Sequence, residues 1–259
     1  MSSSTSPVII VTGASRGIGK AVTLLALKNF NARVVAVARS EPLLENLRKE
    51  AAKLNKVESL EVVVGDVTDD ATARRAVGHA MDKWHQIDAV VANAGVLEPI
   101  ASIAEGSVQG WRQLFEVNLF SVITLIQQAV PHLRRSKGSI VLVSSGAALK
   151  GYQGWGAYGA SKAALNHLAE TLSVEEPDVT SVAIRPGVVD TEMQGLIREK
   201  GHVAMKDDLQ KFVDLHREGK LNPPEASGHV IAALAAKASH ELSGQFLSWD
   251  AEVLKEYRM

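Results

Sequence analysis

Tyr158 and Lys162 stand four residues apart in Tyr158-Gly-Ala-Ser-Lys162, a spacing that sets both side chains on one face of a helix. A phenol ionises near ~10, and an ammonium beside it favours the phenolate and is expected to lower that value toward a working range. Such a pair can exchange a proton with a substrate oxygen. Ser144 and Ser145 close the apolar run that precedes it, and a hydroxyl from either could hydrogen-bond the same oxygen. Asn118, in Val117-Asn-Leu-Phe120, is a polar amide among apolar neighbours and must find a partner.

These residues need a frame, and the apolar pattern supplies one. Val8 to Val11 reads as a strand, a glycine turn follows, and Ile18, Ala21, Val22, Leu25 and Ala26 recur at helical spacing. The alternation continues with strands at 33–38, 60–64, 87–92, 139–143, 179–184 and 245–249. Helices are expected at 41–54, 69–84, 107–133, 159–172 and 225–237. Strands separated by helices of this length imply right-handed crossovers and a parallel sheet, so the fold class is α/β, a doubly wound Rossmann domain with helices on both faces. Ser144 and Ser145 then lie at a strand's carboxyl edge, where ligands bind in such sheets. The stretch 191–224 breaks the rhythm with scattered charges and glycines and is expected to be a lid over the substrate. No linker divides the rest, and residues 1–259 read as one domain.

The first turn, Thr12-Gly-Ala-Ser-Arg-Gly-Ile-Gly19, has Gly13, Gly17 and Gly19 between the first strand and first helix. Glycines there let a pyrophosphate reach the backbone at a helix N-terminus, which favours anions. The second strand ends Val37-Ala38-Arg39, without the carboxylate that would bind the adenosine ribose of NAD. Arg39 and Arg16 are expected instead to clamp a 2′-phosphate, which points to NADP(H). Asn93-Ala-Gly95 follows the fourth strand and gives a close backbone passage beside the cofactor, and Asp66 ends the third strand within reach of the adenine. Tyr152 and Trp155 fall between Ser145 and Tyr158 and should border the substrate.

Composition removes other chemistries. The 259 residues carry 28 Lys+Arg against 29 Asp+Glu, a net charge of -1 that offers no field for nucleic acid or an anionic membrane. Without cysteine there are no disulfides, thiolate metal sites or cysteine nucleophiles, and the eight histidines show no metal-ligand spacing, so no metal is expected. Met1 to Pro7 lacks the basic start and apolar run of a signal peptide, and no continuous apolar stretch reaches roughly 18 residues, so a cytoplasmic protein is expected.

Together these motifs closely resemble the short-chain dehydrogenase/reductase family along nearly the whole chain. The resemblance implies a catalytic tetrad of Asn118, Ser145, Tyr158 and Lys162, with a step of thirteen positions from serine to tyrosine selecting Ser145 over Ser144. It implies that Tyr158 donates the proton during reduction, Ser145 positions the carbonyl, Lys162 binds the nicotinamide ribose and Asn118 supports a water in a proton relay. The cofactor would lie along Gly13, Ser15, Arg16, Gly17, Ile18, Gly19, Arg39, Asp66, Val67, Asn93, Ala94, Gly95, Tyr158 and Lys162. Its nicotinamide end would meet Pro186, Gly187, Val189 and Thr191, and Met193 would join Tyr152 and Trp155 at the substrate. Glu175-Glu176-Pro177, the run to Gln194 and Ser243 to Trp249 look most like the sepiapterin reductase and fungal benzil reductase branch, which implies reduction of a small carbonyl such as a 1,2-diketone. Where sepiapterin reductases carry a pterin-anchoring aspartate this chain has Ser248, with Asp250 two residues on, and Ala92 replaces a frequent second asparagine. The alternatives are a pterin reductase or an NAD(P)-binding regulatory protein without turnover. A homodimer or homotetramer, joined through the helices at 107–133 and 159–172, is expected.

Overall fold

The computed structural model describes residues 6–259; the reading of Met1 to Thr5 as lacking a signal lies outside them. Seven strands form one wholly parallel sheet: β1 (Val8–Thr12), β2 (Arg33–Ala38), β3 (Leu60–Val64), β4 (Ala89–Ala92), β5 (Ser139–Val143), β6 (Thr180–Arg185) and β7 (Phe246–Ser248). Their order is β3-β2-β1-β4-β5-β6-β7, so the chain reverses its winding between β1 and β4 and opens a crevice at their carboxyl ends.

Every strand in the middle of the sheet is covered on both faces, which explains the unbroken Val and Ile runs. Ile9, Val11, Val34, Ala36, Val141 and Val182 face one layer. That layer is built by α1 (Gly17–Asn29), α2 (Glu41–Lys53) and the later helix α9 (Pro224–Lys237). Val8, Ile10, Val35, Val37, Ile140 and Leu142 face the other. Here lie α3 (Asp70–Trp84), which Asp69 caps by accepting from the Ala71 amide, α5 (Ser121–Ser136) and α6 (Gly156–Glu175). The helical stretch Val108–Ser136 is long and apolar enough to cross a membrane by length and composition, contrary to the count of continuous apolar residues. Its Val122, Leu125, Ile126, Ala129 and Leu133 are instead buried against the sheet.

The expected single helix over 107–133 is in fact interrupted. α4 (Val108–Phe115) runs into a π-helical turn, Glu116–Phe120, before α5 begins, and Asn118 sits in that turn. Such wide turns insert one extra residue into the helical ladder and are frequent at functional sites. A second difference is that α6 begins at Gly156, so Tyr158 belongs to its first turn.

The stretch 191–224 also proves ordered. It contains α7 (Glu192–Lys200) and α8 (Asp207–Arg217). Its base is zipped: Asp190 donates to the carbonyl of Asn222 at 2.9 Å and Asn222 donates to that of Val188 at 2.9 Å. The excursion therefore leaves the sheet and returns at one point. It carries Ile197, Met205 and Phe212 into a third apolar cluster with Leu97, Leu114, Ala147, Trp155, Ala157 and Tyr158, beyond the strands' carboxyl ends.

Candidate active site

One cleft of about 1760 Å³ runs from the glycine turn across the carboxyl edge of the sheet to this apolar cluster. Its walls include Gly13, Ser15, Arg16, Gly17, Ile18, Arg39, Asp66, Val67, Asn93, Ala94 and Gly95 at one end. Ser145, Tyr152, Trp155, Tyr158, Lys162, Pro186, Gly187, Val189, Thr191 and Met193 form the other.

The glycine turn is shaped by steric necessity. Gly13 and Gly17 hold φ of +64° and +51°, a region that disfavours side chains. A Cβ on Gly19 would stand 2.3 Å from the Gly13 carbonyl oxygen, and one on Gly17 3.1 Å from the Thr191 methyl. The Asn93 amide pins the turn from β4, donating to the Thr12 carbonyl at 2.9 Å and the Gly13 carbonyl at 3.3 Å. This is a bare backbone cradle at the start of α1, with the form that a dinucleotide pyrophosphate requires.

The two arginines are exposed at the rim of this end, and each faces a carboxylate. Arg16 pairs with Glu192, the first residue of α7, and Arg39 lies 3.8 Å from Asp66. Asp66 is in turn held by the Thr68 amide and hydroxyl, which with Arg39 keep its carboxyl below the ordinary range.

At the other end, the Asn118 carboxamide finds the partner its surroundings demanded. Its oxygen accepts from the Val96 amide at 2.8 Å, and its nitrogen donates to the Val96 carbonyl at 2.9 Å and to Ser161 Oγ at 3.1 Å. The π turn is thereby locked to the loop after β4 and to α6, behind Gly95. Lys162 is buried and donates to the carbonyl of Val143 at 2.8 Å, while its ammonium lies 5.7 Å from the centre of the Tyr158 ring.

The adjacent serines differ in surroundings. Ser144 is buried, its hydroxyl donating to Asn166 Oδ1 at 2.6 Å and to the Lys162 carbonyl at 3.2 Å. Ser145 borders the cleft and accepts from the Ala147 amide at 3.1 Å, capping the short turn that follows.

Burial pushes the Tyr158 phenol above its ordinary value, and the Ser145 hydroxyl only partly opposes this. Burial also lowers Lys162 to about 8. In the chain alone burial sets the direction for the phenol; the lowering expected of Lys162 is one it shares with the positive charge of an oxidised nicotinamide.

Trp155 meets the Tyr158 ring edge-on at 5.6 Å between centroids, and Tyr152 and Phe212 pack on Trp155 at 5.0 and 5.1 Å. Met193 packs against the same cluster. Phe212, Ser161 and Asn166 were not singled out from the sequence. Leu209, Phe212 and Val213, at helical spacing between charged residues, carried a legible signal for α8, whereas the serine and asparagine had none apart from the fold. Near the mouth, Ser248 bonds the Asp250 carboxylate and Arg185 donates to Ser248 Oγ at 3.3 Å. Among the described residues no group of His, Asp or Glu is assembled to hold a metal ion.

The chain's residues 7–202 match the family model described as short chain dehydrogenase. It is 43% identical over 256 residues to an uncharacterized oxidoreductase of Schizosaccharomyces pombe, spanning 98% of this chain and 100% of that one. It is 40% identical to a benzil reductase ((S)-benzoin forming) of Saccharomyces cerevisiae, over 95% of this chain and 97% of the relative. Among solved structures, a short chain dehydrogenase/reductase of Saccharomyces cerevisiae superposes with a TM-score of 0.93 at 39% identity, covering 98% of this chain and 100% of the other. The KRED1-Pglu enzyme superposes with 0.89 at 45% identity, over 93% and 100%.

Proposed function

The chain belongs to the short-chain dehydrogenase family, whose members bind a nicotinamide cofactor, and from that premise we propose that it is an NADP(H)-dependent reductase of small carbonyl compounds, 1,2-diketones first among them. The observation that carries the reading is the gathering of the Tyr158 hydroxyl, the Ser145 hydroxyl and the Lys162 ammonium at one end of a cleft whose other end is the glycine cradle. A bound nicotinamide would supply the hydride.

The chain's own groups divide the remaining work. Ser145 donates a hydrogen bond to the substrate carbonyl oxygen and holds it beside Tyr158. The Tyr158 phenol, protonated at neutral pH, gives its proton to that oxygen as negative charge grows there. Lys162 holds the ribose hydroxyls and, by its charge, limits the cost of the phenolate left behind. Asn118 fixes the π turn and the loop at Val96, which positions Gly95 against the cofactor; the relay water it is expected to support belongs to this same proposal.

Arg16 and Arg39 flank the adenosine end, and no carboxylate stands at Ala38, which supports NADP(H) over NAD(H). On 2′-phosphate binding each guanidinium would exchange a solvated carboxylate for a doubly charged group, an exchange favoured by charge. Residues 191–224 act as the lid, since α7 and α8 bring Met193, Ile197 and Phe212 over the substrate. Diketones are preferred to pterins because Asp250 is already engaged by Ser248. Exposed Val108 and Phe120, at α4 and the π turn, support a homo-oligomer formed through that face, and a cytoplasmic location fits the same reading.

The test is NADPH consumption by the purified chain over diketones, quinones, aldehydes and pterins. Turnover fastest with diketones is expected. Tight NADPH binding without turnover of any carbonyl would identify a regulatory protein, and a strong preference for sepiapterin would overturn the diketone reading.

A further inference from the structure

The substrate end of the cleft holds a polar group to which the chemistry above gives no work. Gln194 is the third residue of α7; it borders the cleft and is 2% exposed. Among the described residues, neither its amide nitrogen nor its amide oxygen has a hydrogen-bond partner. Ile197, three residues on, shares its helix face and packs in the cluster of Leu97, Leu114, Trp155, Tyr158 and Phe212. A carboxamide has thus been set on the inward, apolar side of the lid helix. On the outer side of the same helix a glutamine would be solvated at no loss.

An amide buried with both ends unpaired is strongly unfavourable, and such groups in native proteins call for an explanation. The same wall repeats the pattern. Trp155 is 6% exposed, its indole N–H has no partner, and its ring stands edge-on to Tyr158. Ser145 and Tyr158 serve the oxygen that is reduced. The N–H groups of Gln194 and Trp155 are unpaired in the wall beside them.

Resting on the reductase reading above, we propose that Gln194 is a specificity-determining residue whose side-chain N–H donates to a second substrate oxygen, that of the carbonyl adjacent to the one reduced. A vicinal dicarbonyl completes the amide. A simple ketone of the same size leaves it unpaired in an apolar wall, and sites built to hydrogen-bond a substrate group discriminate strongly against analogues that lack it.

The test compares 1-phenylpropane-1,2-dione with 1-phenylpropan-1-one, which share ring and carbon chain and differ in the second carbonyl. kcat/KM for both is measured with NADPH for the wild-type chain, Gln194→Met and Gln194→Leu, and a fluorescence titration of NADPH reports whether each variant is folded. Gln194→Met keeps length and loses the donor; it is expected to lower kcat/KM for the dione by ~10-fold or more and to change the monoketone by less than ~3-fold. Gln194→Leu, which also lacks a donor, is expected to act in the same direction and serves if the methionine variant fails to bind NADPH. A dione-to-monoketone ratio unchanged within ~3-fold in the folded variants overturns the proposal and leaves Gln194 a structural or water-holding residue. A wild-type chain that binds NADPH and reduces neither compound instead removes the reductase reading itself.

Discussion

The Lys162 ammonium donates to the carbonyl of Val143 at 2.8 Å, tying the second turn of α6 to the last residue of β5. The contact fixes how far Tyr158 stands from Ser145, because one residue rides on the helix and the other follows the strand. The carbonyl favours the charged ammonium, but burial outweighs it and lowers Lys162 to about 8.

A pH signature follows. Lys162 titrates at 10.5 when unperturbed and at about 8 in the folded chain, so between these values the unfolded state binds more protons and stability rises with pH. The slope from this group is at most about 1.4 kcal/mol per pH unit. The raised phenol of Tyr158 acts oppositely, but only above pH 10, where the unfolded state loses its proton first. Thermal melts from pH 7.5 to 9.5 should therefore show Tm of the wild-type chain gaining on that of Lys162→Met. A constant difference would mean that Lys162 is not desolvated.

Tyr158→Phe keeps the ring against Trp155 and removes the hydroxyl proposed to donate the proton. kcat for carbonyl reduction should fall by ~10²–10⁴ while NADPH affinity barely changes. Lys162→Met should impair both, and Ser145→Ala should fall between, losing a hydrogen bond worth about 1–3 kcal/mol in the transition state. Steady-state kinetics beside an NADPH titration separates the cases; near wild-type turnover by Tyr158→Phe would remove the proposed mechanism.

Arg39→Asp replaces a guanidinium at the adenosine end with a second carboxylate near Asp66. NADPH should bind at least ~10-fold more weakly, with little change for NADH. Equal losses for both cofactors would count against a 2′-phosphate contact.

Gly19→Ala tests the cradle. Its new Cβ would stand 2.3 Å from the Gly13 carbonyl oxygen, so the turn must open. Expected are a loss of stability of about 1–3 kcal/mol and a larger loss of dinucleotide affinity. Gly78→Ala, on a helix with no atom within 4 Å of the added carbon, should leave both intact. Denaturant melts and cofactor titration check the pair.

The sheet was readable because its strands are continuous Val and Ile runs separated by helical spacing, and fully covered parallel strands need that composition. Part of the cleft was readable for a related reason: Gly13 to Gly19 and Ser145 closely follow the ends of β1 and β5, and Tyr158 lies in the first turn of the helix after β5. Two things lay beyond the local sequence. The π turn at Asn118 depends on a bond to Val96 across 22 positions of chain, which no periodicity records. The raised Tyr158 phenol depends on how deeply a tertiary cluster buries it, and side-chain spacing alone suggested the opposite direction.

The zipped base at Val188 and Asn222 separates two kinds of inheritance. Because the excursion between them starts and ends at one point on the sheet, residues gained or lost within it lengthen a loop that is already closed, and loop closure grows only slowly with length. Neither the register of β7 against β6 nor the seat of α9 on α1 has to shift. The part of the cleft wall carried by α7 and α8 can therefore change as a unit while the glycine cradle and Tyr158 keep their places. Exchange of residues 193–221 between relatives, with Thr191 beside Gly17 and Glu192 beside Arg16 kept, is expected to change carbonyl preference while NADPH affinity is retained.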